Sequence, residues 1–238
     1  MLSITEIHFI MVLILLSDQK HCEFMKEIIL DSESLAIQHL CKKDKRLAKA
    51  IALVGSLSYS VYADPFSFLV HEIIEQMLSK KAGTSIYKRL DEICNHNISA
   101  DTISRLSIED IRSCGTSNSK ANYISSLARS VMDGSCNFDY ISSLDDHAAM
   151  NYLLQLKGIG TWTAKMYLIF VLNRNDILPY EDVAFQQAYK WLYKTEDISK
   201  ASISKRCKKW SPYTSIGARY MYRLLDEGFT KEPFHLYK

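Results

Sequence analysis

The segment Leu156-Lys-Gly-Ile-Gly-Thr-Trp-Thr-Ala-Lys165 contains the residues that decide the fold. Apolar residues at helical spacing precede and follow it, so we predict two helices joined by a short turn over about 145–172. Gly158 and Gly160 permit a positive φ and have no side chain to block close approach. Backbone N–H groups at the start of the second helix can then point at an anion such as a phosphate. A plain tight turn between two packed helices fits the glycines equally well.

Apolar spacing predicts helices along most of the remaining chain, and no run of alternating residues predicts a strand. Ser107-Ile-Glu-Asp110 has the pattern of a helix start. The 8 Gly and 4 Pro among 238 residues are few enough for long helices with short joints. We therefore predict an all-α fold. The predicted helical stretches are 25–56, 66–90, roughly 102–113 and 119–132 ended by Gly115 and Gly134, one from near Asp182 to about Tyr193, and one that ends near Gly228.

The charge of the chain permits a nucleic-acid partner but does not predict one. The sequence has 29 Lys and Arg against 27 Asp and Glu, a net charge of +2, whereas dedicated nucleic-acid binders are often more basic. None of its 6 Cys forms a C-x-x-C pair, so we expect reduced thiols and no zinc site or iron–sulfur cluster.

Residues 1–24 are interpreted as an N-terminal appendage, either an extra helix or an overlong upstream start with Met25 as the alternative first residue. The apolar run Phe9–Leu16 is too short for a bilayer span, which needs about 20 residues. It also lacks the basic region and cleavage site of a signal peptide. We expect residues 25–238 to form the functional unit, in a bacterial-type cytoplasm or a eukaryotic nucleus and not secreted.

The segment Leu156–Ala164, followed by Asp176-Ile-Leu-Pro-Tyr-Glu-Asp-Val183, resembles the helix-hairpin-helix (HhH-GPD) DNA glycosylase superfamily, and within it the DNA-3-methyladenine glycosylase II branch. The resemblance covers about 64–222. It implies a two-lobed helical fold with the active site in the cleft, and base excision repair of double-stranded DNA that contains alkylated purines. Further marks of that branch occur in order: Asp64-Pro65-Phe66, Gln76-Met-Leu-Ser79, Gly115 with Ser117 and Lys120-Ala121, and Trp210-Ser-Pro-Tyr213.

The resemblance assigns the chemistry to Asp182. Breaking an N-glycosidic bond builds positive charge on the sugar, and a carboxylate stabilises that charge and can orient or deprotonate a water. An Asp at a helix start is also an ordinary N-cap, and Glu181 is a competing carboxylate. Members that also cut the backbone have a Lys where this chain has Trp162, so the resemblance implies hydrolysis without a Schiff base.

The target base must be flipped out of the duplex before it can be cleaved. The family's wedge residue maps to Met77, although Met77 could equally belong to the core with Ile73 and Ile74. Positively charged alkylated purines stack on aromatic rings, and the candidate pocket residues, whose rings could also be core, are Trp162, Tyr180, Trp210 and the non-aromatic Met166. The expected DNA-binding residues are Gln76, Met77, Ser79, Gly158, Ile159, Gly160, Thr161 (also a candidate helix cap), Thr163 and Lys165.

Further lysines contact either phosphate or only solvent: Lys80, Lys81, Lys120, Lys157 and the Lys205–Lys209 cluster. Two other functions remain open, a non-catalytic helix-hairpin-helix DNA-binding protein and a glycosylase for other damaged or mismatched bases. We expect a monomer without membrane association, metal or cofactor, apart from room for a monovalent cation at the hairpin.

Overall fold

The computed structural model describes residues 27–236, and almost all regular structure in this range is helical. The predicted all-α class is confirmed; the interpretation of residues 1–24 lies outside the described range. In residues 27–236 no helix combines the length and apolar character of a membrane span. The elements are β1 (Ile28–Leu30), α1 (Leu35–Lys43), α2 (Lys45–Val54), β2 (Leu57–Tyr59), α3 (Pro65–Glu75), α4 (Lys80–Ile93), α5 (Ala100–Ser104), α6 (Ile108–Ser113), α7 (Asn118–Met132), α8 (Phe138–Ser143), α9 (Asp146–Leu153), α10 (Thr161–Phe170), α11 (Val183–Tyr193), α12 (Lys200–Cys207) and α13 (Thr214–Asp226).

The described chain forms two compact units. The central unit consists of residues 62–173 and contains α3 to α10. The terminal unit combines residues 27–61 with residues 174–236, and it contains both strands, α1, α2 and α11 to α13.

In the terminal unit, the prediction of helix over 25–56 is wrong at its start and in its middle. Residues 28–30 pair antiparallel with 57–59, so that Ile29 lies opposite Ser58. Asp44 then separates α1 from α2, because its extended backbone ends the first helix while its carboxylate accepts hydrogen bonds from the first N–H groups of the second.

In the central unit, the prediction of one stretch over 66–90 is also wrong. The first helix ends at Glu75 and the next begins at Lys80, and between them Met77 adopts a left-handed φ of 56°. The predicted helix 102–113 is likewise two helices, because Ser107 and Asp110 form a capping box that starts α6. The helices over 146–153 and 183–193 agree with prediction within a few residues.

The carboxylate of Asp44 is the polar centre of the terminal unit's core. It is almost wholly buried, and it accepts hydrogen bonds from the Tyr193 hydroxyl and, at 2.9 Å, from the Trp210 indole N–H. The Lys209 ammonium lies 3.1 Å from the same oxygen. Burial alone would raise the pKa of Asp44, but these three donors outweigh it and hold the pKa below its usual 3.8.

We predict that Asp44→Asn lowers the free energy of unfolding by about 1.5–3 kcal/mol near neutral pH, because buried donors lose a charged acceptor. The folded-state pKa is depressed, so this stabilisation is present above the unfolded pKa and is lost as pH falls through the folded one. Urea unfolding over a pH series should therefore show the gap between wild type and variant closing below 3.8. Exposed Glu33→Gln is the control; a gap that is small or independent of pH would contradict the assignment.

Candidate functional site

The turn between α9 and α10 is short and contains both glycines. Gly158 has a φ of 86°, and the Ile159 N–H donates to the Leu156 carbonyl at 3.1 Å. Gly160 occupies the N-cap position of α10, where no side chain of the described chain supplies a cap. The expected capping by Thr161 is therefore wrong, since Thr161 is already the first helical residue. The first N–H groups of α10 have no intrahelical acceptor and suit an anion.

The surroundings of the two glycines of the turn differ. A Cβ on Gly158 would lie 2.5 Å from Cγ of the Tyr123 ring, which is closer than a Cβ atom approaches another heavy atom in real proteins. A Cβ on Gly160 would meet no heavy atom of the described residues within 4 Å. Gly158 is therefore required by packing against α7, whereas Gly160 keeps the surface at the start of α10 open.

The structure divides the expected DNA-binding residues into an exposed and a buried group. Met77, Ser79, Gly160 and Thr161 are exposed. Three others are buried, because α10 is buried on nearly every side and the central residue of the turn faces inward, and their assignment to DNA binding stays a prediction. These buried residues are Ile159 at 5% exposure, Thr163 at 1% and Lys165 at 7%.

Gln76 bonds to the hairpin rather than presenting its amide to solvent. Its side-chain N–H donates to the Gly158 carbonyl at 2.8 Å and lies 3.4 Å from the Thr163 hydroxyl oxygen. Ser79 caps α4 by accepting the Ala82 N–H at 3.4 Å. Met77 lies between them and is fully exposed, so the alternative that Met77 belongs to the core is wrong.

Asp182 is the N-cap of α11 and is only 8% exposed. Its Oδ1 accepts the Phe185 N–H at 2.7 Å, so the ordinary capping role is real. The chain leading to it is fastened to the start of α13: the Ser215 hydroxyl accepts the Ile177 N–H at 2.9 Å, and the Ser215 N–H donates to the Asn175 carbonyl at 2.9 Å. These bonds set the position of the carboxylate.

Two side chains of α13, Arg219 and Tyr222, contribute to the surroundings of Asp182 and were missed by the sequence reasoning. Burial and then the charge of Asp182 raise the pKa of the Tyr222 hydroxyl well above its usual 10.0, while the Arg219 charge opposes that rise. The Arg219 guanidinium is buried and lies 3.8 Å from the centroid of the Tyr59 ring. The available signal was an arginine inside the otherwise uncharged run Ile216–Tyr222, because a buried charge needs a partner.

The four candidate pocket residues lie in different environments. Trp210 is fully buried, donates to Asp44 and packs against Gly217, where an added Cβ would be 2.7 Å from the ring. It is therefore a core residue, and its prediction as a pocket residue is wrong. Met166 is buried, whereas Trp162 and Tyr180 are half-buried, with the Lys200 ammonium 5.0 Å from the centroid of the Tyr180 ring.

The described residues contain no group of three or more His, Cys, Asp and Glu side chains arranged to hold a metal ion. Burial raises the pKa of the Cys94 and Cys136 thiols to about 11, so these groups are protonated at neutral pH. The cysteines at 41, 94, 114, 136 and 207 are free thiols.

Residues 70–212, more than half of the chain, match the family described as HhH-GPD superfamily base excision DNA repair protein, and the chain belongs to that family. It is 28% identical over 205 residues to DNA-3-methyladenine glycosylase 1 of Schizosaccharomyces pombe, covering 83% of this chain and 90% of that protein.

Two solved structures resemble this chain closely. The DNA-3-methyladenine glycosidase of Bacillus halodurans superposes with a TM-score of 0.77 at 29% identity, covering 88% of this chain and 97% of that one. The 3-methyladenine DNA glycosylase of Schizosaccharomyces pombe, solved in complex with abasic DNA, gives a TM-score of 0.73 at 28% identity and covers 79% and 95% of the two chains.

Because a side chain would overlap its surroundings at Gly158 but not at Gly160, substitutions of the two glycines should affect stability differently. Gly158→Ala should lower the free energy of unfolding by about 2–4 kcal/mol, because it combines an unfavourable φ with overlap on the Tyr123 ring. Gly160→Ala, the matched control, should stay within about 0.5 kcal/mol of wild type. Tyr123→Ala in the Gly158→Ala background should recover part of the loss in urea titrations. Equal effects of the two alanines would contradict this reading.

Proposed function

We propose that this protein is a monofunctional DNA N-glycosylase that excises alkylated purines of the 3-methyladenine type in base excision repair. The observation that carries the proposal is the carboxylate of Asp182, which is almost buried and is held in place by the Phe185 N–H. It lies in a chain that belongs to the HhH-GPD family. The resemblance to DNA-3-methyladenine glycosylases supports the same substrate class here.

In the proposed reaction, Asp182 stabilises the positive charge that develops on the sugar as the N-glycosidic bond breaks. A charge held in a site of low dielectric interacts more strongly than in water, and the cap bond from Phe185 holds the carboxylate ready before the substrate arrives. The carboxylate then orients or deprotonates the water that attacks the sugar carbon. The products are the free base and an abasic site.

We propose that the exposed start of α10 docks a DNA phosphate. Gly160 leaves the approach open, and the uncapped N–H groups with the positive end of the helix dipole favour the anion. Lys157, exposed in the same turn, adds positive charge. Contacts of this kind bind any sequence, as a repair protein requires.

Met77 is proposed as the wedge that enters the base stack when the damaged base leaves it. Its side chain is apolar and fully exposed at the apex of a turn, and apolar wedges of this kind unstack neighbouring bases. Trp162 and Tyr180 stay as candidates for stacking on a positively charged purine.

Asp182→Asn should lower the rate of base release roughly 100- to 1,000-fold while leaving the fold intact. Asparagine caps helices about as well as aspartate, so only the charge is removed. The measurement is single-turnover release of 3-methyladenine, 7-methylguanine and ethenoadenine from duplex DNA, with affinity for abasic DNA followed in parallel.

The matched control for this experiment is Glu181→Gln, which removes the neighbouring negative charge. It should retain most of the wild-type rate. If the Asp182 variant kept more than about a tenth of the wild-type rate, the chemistry would lie elsewhere, first at Glu181. Unchanged DNA binding without base release by the wild type would favour a non-catalytic binding protein.

The reaction should leave intact abasic DNA that breaks only after hot alkali. The reason is that Trp162 has no amine to form a Schiff base with the sugar. Gel analysis before and after alkali, together with borohydride trapping, measures this. A covalent protein–DNA adduct trapped by borohydride would show that another amine of the chain attacks the sugar.

A further inference from the structure

The turn at 76–79, which presents Met77, is strained and needs external support. Met77 has a φ of 56°, and a non-glycine residue in the left-handed region costs about 1–2 kcal/mol. Inside the turn, the Leu78 N–H donates to the Glu75 carbonyl at 3.0 Å. Such a conformation persists only where surrounding groups hold it.

Lys120 of α7 supplies the first support. Its ammonium lies 2.6 Å from the Gln76 carbonyl oxygen and 2.9 Å from the Ile74 carbonyl oxygen, which are at the C-terminal end of α3. A cation is favourable there, because the last carbonyls of a helix lack intrahelical donors and carry its negative partial charge. Lys120 is half-buried, and burial lowers the pKa of this ammonium from its usual 10.5.

The second support joins the same turn to the hairpin. The Gln76 side chain donates to the Gly158 carbonyl at 2.8 Å, and Gly158 in turn packs against Tyr123. Tyr123 and Lys120 are three residues apart on α7, which places them on neighbouring positions of one helix face. The contacts therefore close a ring through Lys120, Gln76, Gly158 and Tyr123.

We propose that Lys120 and Gln76 are positioning residues that hold the Met77 side chain at a fixed place relative to the hairpin. When the start of α10 docks on a phosphate, the ring of contacts sets where Met77 meets the base stack. Lys120 thereby acts on base unstacking through the backbone of the turn, by its bonds to the Ile74 and Gln76 carbonyls. This inference rests on the proposed function, specifically on the hairpin as the docking element and Met77 as the wedge.

The test uses duplex DNA with 2-aminopurine opposite an abasic-site analogue, whose fluorescence rises when that base is unstacked. At protein concentrations that saturate the DNA by anisotropy, the wild type should raise the fluorescence and Met77→Ala should not. Lys120→Met and Gln76→Leu should reduce the rise and slow base release roughly tenfold, the effect of one lost hydrogen bond to a charged or buried group. Lys120→Arg, which can donate to both carbonyls, should restore most of the rise.

Exposed Lys88→Met is the control for loss of one positive charge and should behave as the wild type. If Lys120→Met fails to fold by circular dichroism, Gln76→Leu carries the same test. A wild-type fluorescence rise in both Lys120→Met and Gln76→Leu, or in Met77→Ala, would overturn the inference. Failure of the proposed function is seen separately, as absence of base release by a wild-type protein that still gives the fluorescence rise.

Discussion

The contact between the Gly158 backbone and the Tyr123 ring is the constraint on which the central unit depends. It leaves no room for a side chain at Gly158, so the turn lies at van der Waals distance from α7. With the turn in this position, the start of α10 at Gly160 is exposed. It also puts the Gly158 carbonyl within reach of Gln76. The exposed start of α10 and the turn that presents Met77 are thus both positioned by contacts with α7.

The terminal unit holds two carboxylates in its interior, and both accept hydrogen bonds. Asp44 is satisfied by three donors from distant parts of the chain. Asp182 receives a backbone N–H and faces Tyr222 on α13. The same helix begins beside Ser215, which fastens the approach to Asp182. Helix α13 therefore contributes both to the position and to the electrostatic surroundings of the Asp182 carboxylate.

Local signals in the sequence predicted the parts of the fold that local physics determines. Capping residues and helical spacing placed the helices over 146–153 and 183–193 and the start of α6 at Ser107. The break between α3 and α4 escaped prediction because its residues continue the apolar pattern, and the turn is held by Lys120 from another helix. Strand β1 escaped because three residues carry no detectable period.

The same limit applies to the candidate site. Asp182 could be predicted as the catalytic carboxylate because the resemblance gives its distance from the hairpin along the sequence. The burial of Thr163 and Lys165 could not, since a helix buried on nearly every side loses the periodicity that separates an inner from an outer face. The role of Trp210 as a core residue, and the approach of Tyr222 to Asp182, depend on side chains that meet only after folding.

The left-handed backbone at Met77 has a consequence for how this chain can vary. Glycine would adopt that φ without steric strain, yet it would remove the exposed apolar side chain. Asparagine tolerates the same conformation but is too short and polar to enter a base stack. In the proposed wedge role, activity requires an apolar side chain at this position, whereas the backbone conformation favours glycine or asparagine. A methionine at this φ is the pattern expected where an exposed apolar side chain is required at some cost in stability.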